Sequence, residues 1–479
     1  MRNKILISVF IGLLIIGSFI VFRHYSSVKY SLLVDKELKE ELQKLKEAGI
    51  PTNIEELNLP AIPDAENGAL VYKEIFELKD SLESKYKEII ERSPNRSVTG
   101  WKEVPEEKKQ EVIDFILNNP EFAELHEMLE KASGMECRFS TNEDCSEGIS
   151  YDTKVGSRLR SCARDLADKA RIEREHGDVN KSLNASLIGL KLPKCLANEP
   201  LIIYQLVRFA MDGIALRELE ETINKGEGDL ELYQSLIDEI EKERTSNIIN
   251  LTLKRDLVCH TLPFFSEYEK RGEEIFELTG EQKKRIEESY NPELSMRMAK
   301  EQKQALKNAY LNSGSGTPKE FFIKEEIFSL KTKSKVIPLT EKPYWQAYEG
   351  LGKIDEDIKN LQDKNLLSNI ISSSNQRMYM SEALCDARLG IAEIAIANKI
   401  YNKKYGEYVG ILSQLIPEIL PSLPLDPFSG KDYVYKKKDK GFIVYSVGDN
   451  MKDDNGTKRT YEKNSPAYEN YDIVWEIDN

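Results

Sequence analysis

The chain has 479 residues, 40% of them apolar, and a formal net charge of −14 from 68 Lys/Arg and 82 Asp/Glu. That length exceeds one ordinary domain and that apolar content suffices for packed cores, which excludes wholesale disorder. The acidic balance would repel a phosphate backbone and so argues against nucleic acid as a partner.

In chain order, Ile5 to Phe22 is a charge-free apolar run, preceded by Arg2 and Lys4 and followed by Arg23. At about 1.5 Å per residue such a helix is about 27 Å long, enough to cross a hydrocarbon core. Phe22-Arg23-His24-Tyr25 is bulky and offers no small-x-small cleavage site. An uncleaved, single-pass signal anchor is therefore expected over residues 1–30, with the N-terminus inside and the body extracytoplasmic.

Residues 31–310 read as an α-helical body. Lys36 to Ala48 is a charged helix stopped by Gly49 and Pro51, and Leu59 to Asp64 is an extended connector. Asn67 to Arg92 and Glu106 to Ser133 are helical in pattern. From Ser157 to Glu221 the pattern is clearest: Leu159, Cys162, Ala163, Leu166 and Ala170 share one helix face. Gly177-Asp178 then breaks and recaps the chain. A second helix carries Val179, Leu183, Leu187 and Leu190, and a third presents Ile202, Leu206, Phe209, Gly213 and Leu216. Helix, Gly-Asp turn and helix resemble a tetratricopeptide-type hairpin, but no 34-residue period recurs, so an irregular bundle is expected.

Asn312 to Pro318 (NSGSGTP) reads as a flexible break, and residues 311–340 as a linker. Residues 341–479 then hold helices leading into an α+β unit with its core at about 374–479. A long helix from Ser374 to Lys404 presents Met380, Leu384, Ala387, Ile391, Ile394 and Ala395 to a small sheet. The strands are Asp432 to Tyr435, Gly441 to Ser446 and Tyr471 to Ile477. The basic run Lys436-Lys437-Lys438 reads as a solvated hairpin end.

Catalytic signatures are thin. The four histidines form no HExxH; His126-Glu127-Met128-Leu129-Glu130 comes nearest, with Glu in place of the second histidine. GxSxG, GxxxxGK[ST] and GxGxxG are absent, and acidic pairs such as Glu220-Glu221 and Asp238-Glu239 read as solvated helix faces. Six cysteines (137, 145, 162, 195, 259 and 385) allow 15 pairings; Cys137 and Cys145 flank a polar loop and are placed to close it. One acidic loop stands out. Asp449, Asn450, Asp453 and Asp454, between Gly448 and Gly456, supply enough hard oxygen for a Ca²⁺ ion.

The last quarter resembles the globular domain of the type II secretion major pseudopilins. The order is long helix, Tyr405-Gly406-Glu407-Tyr408, Leu423-Pro424-Leu425-Asp426-Pro427-Phe428-Ser429-Gly430, strand, Tyr445-Ser446-Val447-Gly448-Asp449, acidic loop. The resemblance implies a pilin-like helix on an antiparallel sheet, with calcium bracing the acidic loop. The family's first loop aspartate falls on Asn450 here, with Asp449 one place early. No Glu lies within Ile5 to Phe22, and about 350 residues separate that run from the pilin-like helix, so a polymerising pilin is not implied. More broadly, the chain resembles a set of uncharacterised bacterial membrane-anchored helical envelope proteins. The residues that carry this are Pro63-Asp64-Ala65-Glu66-Asn67-Gly68-Ala69 with Tyr72, Gly177-Asp178-Val179, and Glu199-Pro200-Leu201-Ile202. That likeness implies a bacterial inner (cytoplasmic) membrane location and brings no activity with it.

The expected fold is thus mainly α, an irregular bundle after one transmembrane helix, ending in a pilin-like α+β unit. The expected function is a non-enzymatic, membrane-anchored extracytoplasmic scaffold or adaptor that binds protein partners, with no catalytic residues, nucleic acid or small-molecule substrate. A component or regulator of a type II secretion or pilus-like machine is the alternative, and an envelope hydrolase the second.

Overall fold

The computed structural model describes residues 33–57, 59, 62–89, 104–140, 145, 154–244, 247–287, 292–360, 375–459 and 471–478. The expected anchor, Ile5 to Phe22, lies outside them; among the described residues no helix is long and apolar enough to cross a membrane. The chain is mainly helical and ends in a three-stranded antiparallel sheet.

Residues 33–47 are helical, and Gly49 ends the helix at φ 71°. Helices α1 (Gly68–Ile89), α2 (Lys109–Asn118) and α3 (Pro120–Ser133) follow. The pattern expected as one helix from Glu106 is divided by Asn119, whose side chain accepts from the amides of Glu121 and Phe122 and starts α3 at Pro120. With α4 (Lys154–Glu175) they enclose a first core of Tyr72, Ile75, Leu125, Leu129, Leu159 and Leu166. Gly177 takes φ 86°, and Asp178 Oδ1 accepts from the Lys181 amide at 3.0 Å to cap α5 (Val179–Lys191), as the Gly-Asp spacing predicts.

Next come α6 (Ile202–Lys225), α7 (Leu230–Arg244) and α8 (Ile248–Asp256), the last passing through a π-helical stretch, Leu257–Thr261, into α9 (Leu262–Arg271). Then come α10 (Gly280–Glu287), α11 (Pro292–Asn312), α12 (Pro318–Leu339), α13 (Tyr344–Asn360) and α14 (Asn375–Tyr405). Strands β1 (Val434–Lys437), β2 (Gly441–Ser446) and β3 (Ile473–Asp478) pair in that order, with Val434 opposite Tyr445 and Val444 opposite Trp475.

Two expectations change here. Residues 311–340 are not a linker. Thr317 caps α12 by accepting from the Glu320 amide at 3.2 Å, and Phe321, Phe322, Ile327 and Leu330 are buried. The break is confined to the residues around Gly314, at φ 71°. The C-terminal unit is also not a separate body. One core joins Leu183 of α5, Leu219 of α6 and Ile240 of α7 to Ile391, Ile394 and Ile400 of α14, and to Phe442, Val444, Trp475 and Ile477 of the sheet. Helix α14 packs on the sheet and against α6 and α7 together, so Leu389 to Ile400 is buried on every side.

The described cysteines are buried free thiols. Cys145 meets Cys259 in the π stretch, within hydrogen-bonding reach, rather than Cys137. Cys137 is held instead against Gly68, where a Cβ would fall 2.5 Å from its Sγ.

Candidate functional site

The four expected calcium residues lie together after β2, in a loop whose polar atoms bond one another. Asn450 donates from Nδ2 to Asp454 Oδ2 at 2.7 Å and accepts on Oδ1 from the Lys452 amide. Asp453 Oδ1 accepts from the Tyr445 hydroxyl at 3.0 Å and the Asn455 amide at 2.8 Å. Tyr471 donates its hydroxyl to Asp449. Asp472, almost fully buried, takes the amides of Asp454 and Gly456. Met451 and Asn455 sit at φ 57° and 62°, so the turn is tight. Among the described residues no group of three or more His, Cys, Asp or Glu converges as a metal site would require. The carboxylates already hold protein donors, and no step below is routed through calcium.

The motif residues turn out to be structural. Asp426 of the Leu-Pro-Leu-Asp-Pro-Phe-Ser-Gly run is 1% exposed, and its carboxylate accepts from the Phe428 and Val447 amides and from the Ser429 and Ser446 hydroxyls. It pins the turn after the long helix to the end of β2. Asn67 exchanges two hydrogen bonds with the backbone of Arg138, while the buried Glu199 accepts from the Phe139 and Ser140 amides. The two motifs, 132 positions apart (199 less 67), grip the same short segment.

The chemistry that remains lies in a cleft of about 390 Å³ where α6, α7, α13, α14 and the Asp426 turn meet. Six acids line it (Asp212, Glu243, Glu341, Glu382, Asp386 and Asp426) against two bases, Arg244 and Lys342. Arg244, at the end of α7, donates to Asp386 at 3.0 Å and to Glu393 at 2.8 Å, tying α7 to α14. Glu382 Oε1 accepts from the amides of Ile248 and Ile249 and so caps α8 at its positive end. Asp212 Oδ2 accepts from the Cys385 thiol at 3.5 Å. The second oxygens, Asp212 Oδ1 and Glu382 Oε2, are shut from solvent with no protein donor among the described residues. Burial, then the neighbouring Glu243, raises the Asp212 carboxyl to about 8; burial raises Glu382 to about 7.

No protein-family model, no curated protein and no solved structure matches this chain. The cleft must therefore be read from its own residues. Its aromatic wall is Tyr344, packed edge-on against Tyr379 at 5.5 Å and Phe428 at 5.4 Å, beside Trp345. Trp345 is 44% exposed at the mouth, with Leu425 at 54%. Gly430, at φ 67°, lies under the indole, where a Cβ would fall 2.4 Å from Trp345 Cε2; no other residue type lets the ring lie there. Behind the cleft is a second cavity, of about 690 Å³, which shares Glu243, Asn247 and Ile248 with it and draws Lys191, Lys194, Lys242 and Arg255 from the body. The buried Arg208–Glu243 pair, 2.7 Å apart, stands between acid-rich and base-rich sides.

Sequence reasoning missed these residues for a definite reason. It phased α6 on Ile202, Leu206 and Phe209, whereas the buried face carries Tyr204, Gln205, Arg208, Met211 and Asp212, and Leu206 is 37% exposed. The available signal was polar: Gln205, Arg208 and Asp212 recur at helical spacing inside an otherwise apolar run. Glu239, expected on a solvated face, is buried against Lys194. His126 is also buried, and burial together with Lys169 drives its imidazole down to about 3, so it stays neutral and inert.

Proposed function

We propose that this protein is a non-enzymatic, membrane-anchored scaffold that holds a protein partner on the extracytoplasmic side, with the cleft between α6, α7, α13 and α14 as the holding site. The observation that carries the reading is the cleft itself, with an apolar, ring-lined mouth over a floor of acids. Exposed Trp345 and Leu425 offer the kind of surface that protein interfaces bury at their centre. The anchor, Ile5 to Phe22, would keep this surface near the bilayer. The secretion-machine reading draws support from one observation: a long helix on a three-stranded antiparallel sheet, in the pseudopilin order. In that reading the same C-terminal elements would dock on the machine.

The test is a photo-crosslinking residue at Trp345 in intact cells, beside one at an exposed body position such as Leu294. A discrete adduct from position 345 and none from 294 is expected. Equal labelling, or none, at both positions would overturn the assignment of the cleft. Alkaline phosphatase fused after Asn479 should be active if the body is outside; a silent fusion beside an active cytoplasmic reporter would invert the topology.

A further inference from the structure

Two buried carboxylate oxygens without donors, aimed into one cleft, are costly to leave as they are. Asp212 is 2% exposed, so no movement of its own side chain brings Oδ1 to solvent. Glu382 is half-buried as a residue, yet Oε2 is enclosed while Oε1 is committed to the start of α8. The Tyr344 hydroxyl, on the same wall, also lacks a partner among the described residues. Of the cleft's other charges, Arg244 is spent on Asp386 and Glu393, and Glu341 is paired with Lys254. What the floor lacks is a donor of positive charge.

The wall chooses among cations. A hydrated metal ion would seek convergent oxygens, and no such group is present among the described residues. An alkyl cation carries an apolar stem as well as donors, and rings beside acids suit both halves of it. A planar guanidinium stacks on aromatic faces and offers several N–H groups in a fixed fork. The cleft's volume, about 390 Å³, suits one long side chain rather than a folded element.

We propose that the cleft receives an arginine side chain of the partner protein, its guanidinium bonded to Asp212 Oδ1 and Glu382 Oε2 and its stem laid along Tyr344 and Trp345. This rests on the scaffold reading above and names what the cleft recognises. It also makes binding proton-linked. The groups facing Asp212 are Arg208 on its own helix, Glu243 on α7, Cys385 on α14 and Lys194 from the segment after α5; those facing Glu382 are Asp386 and Arg208. A bound cation favours the ionised acids, so protons leave as it enters and affinity rises with pH.

The experiment uses the full chain in nanodiscs, with N-acetylarginine amide as probe and the isosteric citrulline amide as the neutral control. Saturable binding of the arginine amide is expected, at least tenfold tighter than citrulline and several-fold tighter at pH 8.5 than at pH 6. Asp212→Asn and Glu382→Gln should each weaken it about tenfold while the melting temperature holds or rises, and Trp345→Ala should weaken it without altering the pH dependence. Equal binding of arginine and citrulline amides, or a flat pH profile, overturns the proposal. The crosslink from position 345 separates the two readings. An adduct that survives Asp212→Asn and Glu382→Gln leaves the scaffold reading standing and sinks the arginine. Arginine-amide binding with no adduct in cells does the reverse, making the site one for a free cation.

Discussion

Asp426 shows how much a single side chain in this chain is asked to hold. Its two oxygens take four donors from three parts of the turn and from β2, all out of reach of water. Asp426→Ala would strand those donors together, and a loss on the order of 3 kcal/mol or more is expected in chemical denaturation. A midpoint within experimental error of the parent would show the turn is held elsewhere. Asp212 carries a pH signature. Its carboxyl is held up to about 8, while an unfolded aspartate titrates near about 3.9. Folding therefore takes up a proton between those values, so this group's contribution to stability is present at low pH and lost as pH rises toward 8. Asp212→Asn has no proton to lose and should be more stable than the parent at pH 8.5, with the gap closing toward pH 4. A gap that widens in acid would reverse the assignment. Neither residue could be ranked from sequence: both are aspartates among many, and only the packing of Glu243 and Cys385 around one, and of Ser429 and Ser446 around the other, sets them apart.

At the scale of elements, helices with one apolar face were legible and helices buried all round were not. Leu159, Cys162, Ala163, Leu166 and Ala170 of α4 are all buried, and Asp178 caps α5 as its spacing suggests. The strands fall within two residues of their expected starts because alternation and flanking glycines mark them. Helix α12 was taken for a linker because, with Phe321, Ile323, Glu325 and Lys333 all buried, it shows no polar face to set a phase. The same failing hid the polar face of α6, and with it the cleft. The acidic loop after β2 is an element whose self-bonding and expected calcium make different predictions. If calcium binds the folded loop, millimolar Ca²⁺ should add about 2.7 kcal/mol at one hundred times Kd, and Asp453→Ala should remove that gain. Coincident melts in calcium and in chelator would leave a turn held by its own hydrogen bonds.

For the whole molecule, the decisive fact is that the last strands complete a core begun by α5, α6 and α7. The sequence order suggested a pilin-like unit able to stand alone. Cut away from the body, however, α14 would bare the side it packs against α6 and α7. A fragment from residue 375 to 479 is therefore expected to bind hydrophobic dye and to melt without a cooperative transition. A sharp, reversible transition in that fragment would restore the two-domain picture.

Trp475 donates its indole N–H to Asn224 at 2.9 Å, a bond between residues 251 positions apart. Its consequence belongs to biosynthesis. The apolar faces of α6 and α7 leave the ribosome long before β3 exists, and at about 5–20 residues per second they wait on the order of tens of seconds for their cover. Through that interval the nascent chain presents Leu219, Leu236 and Ile240 to whatever is nearby. A stop codon a few residues early, removing Trp475 and Ile477, would make the wait permanent. Quality-control proteases would then meet a chain with every helix made and its core unclosed.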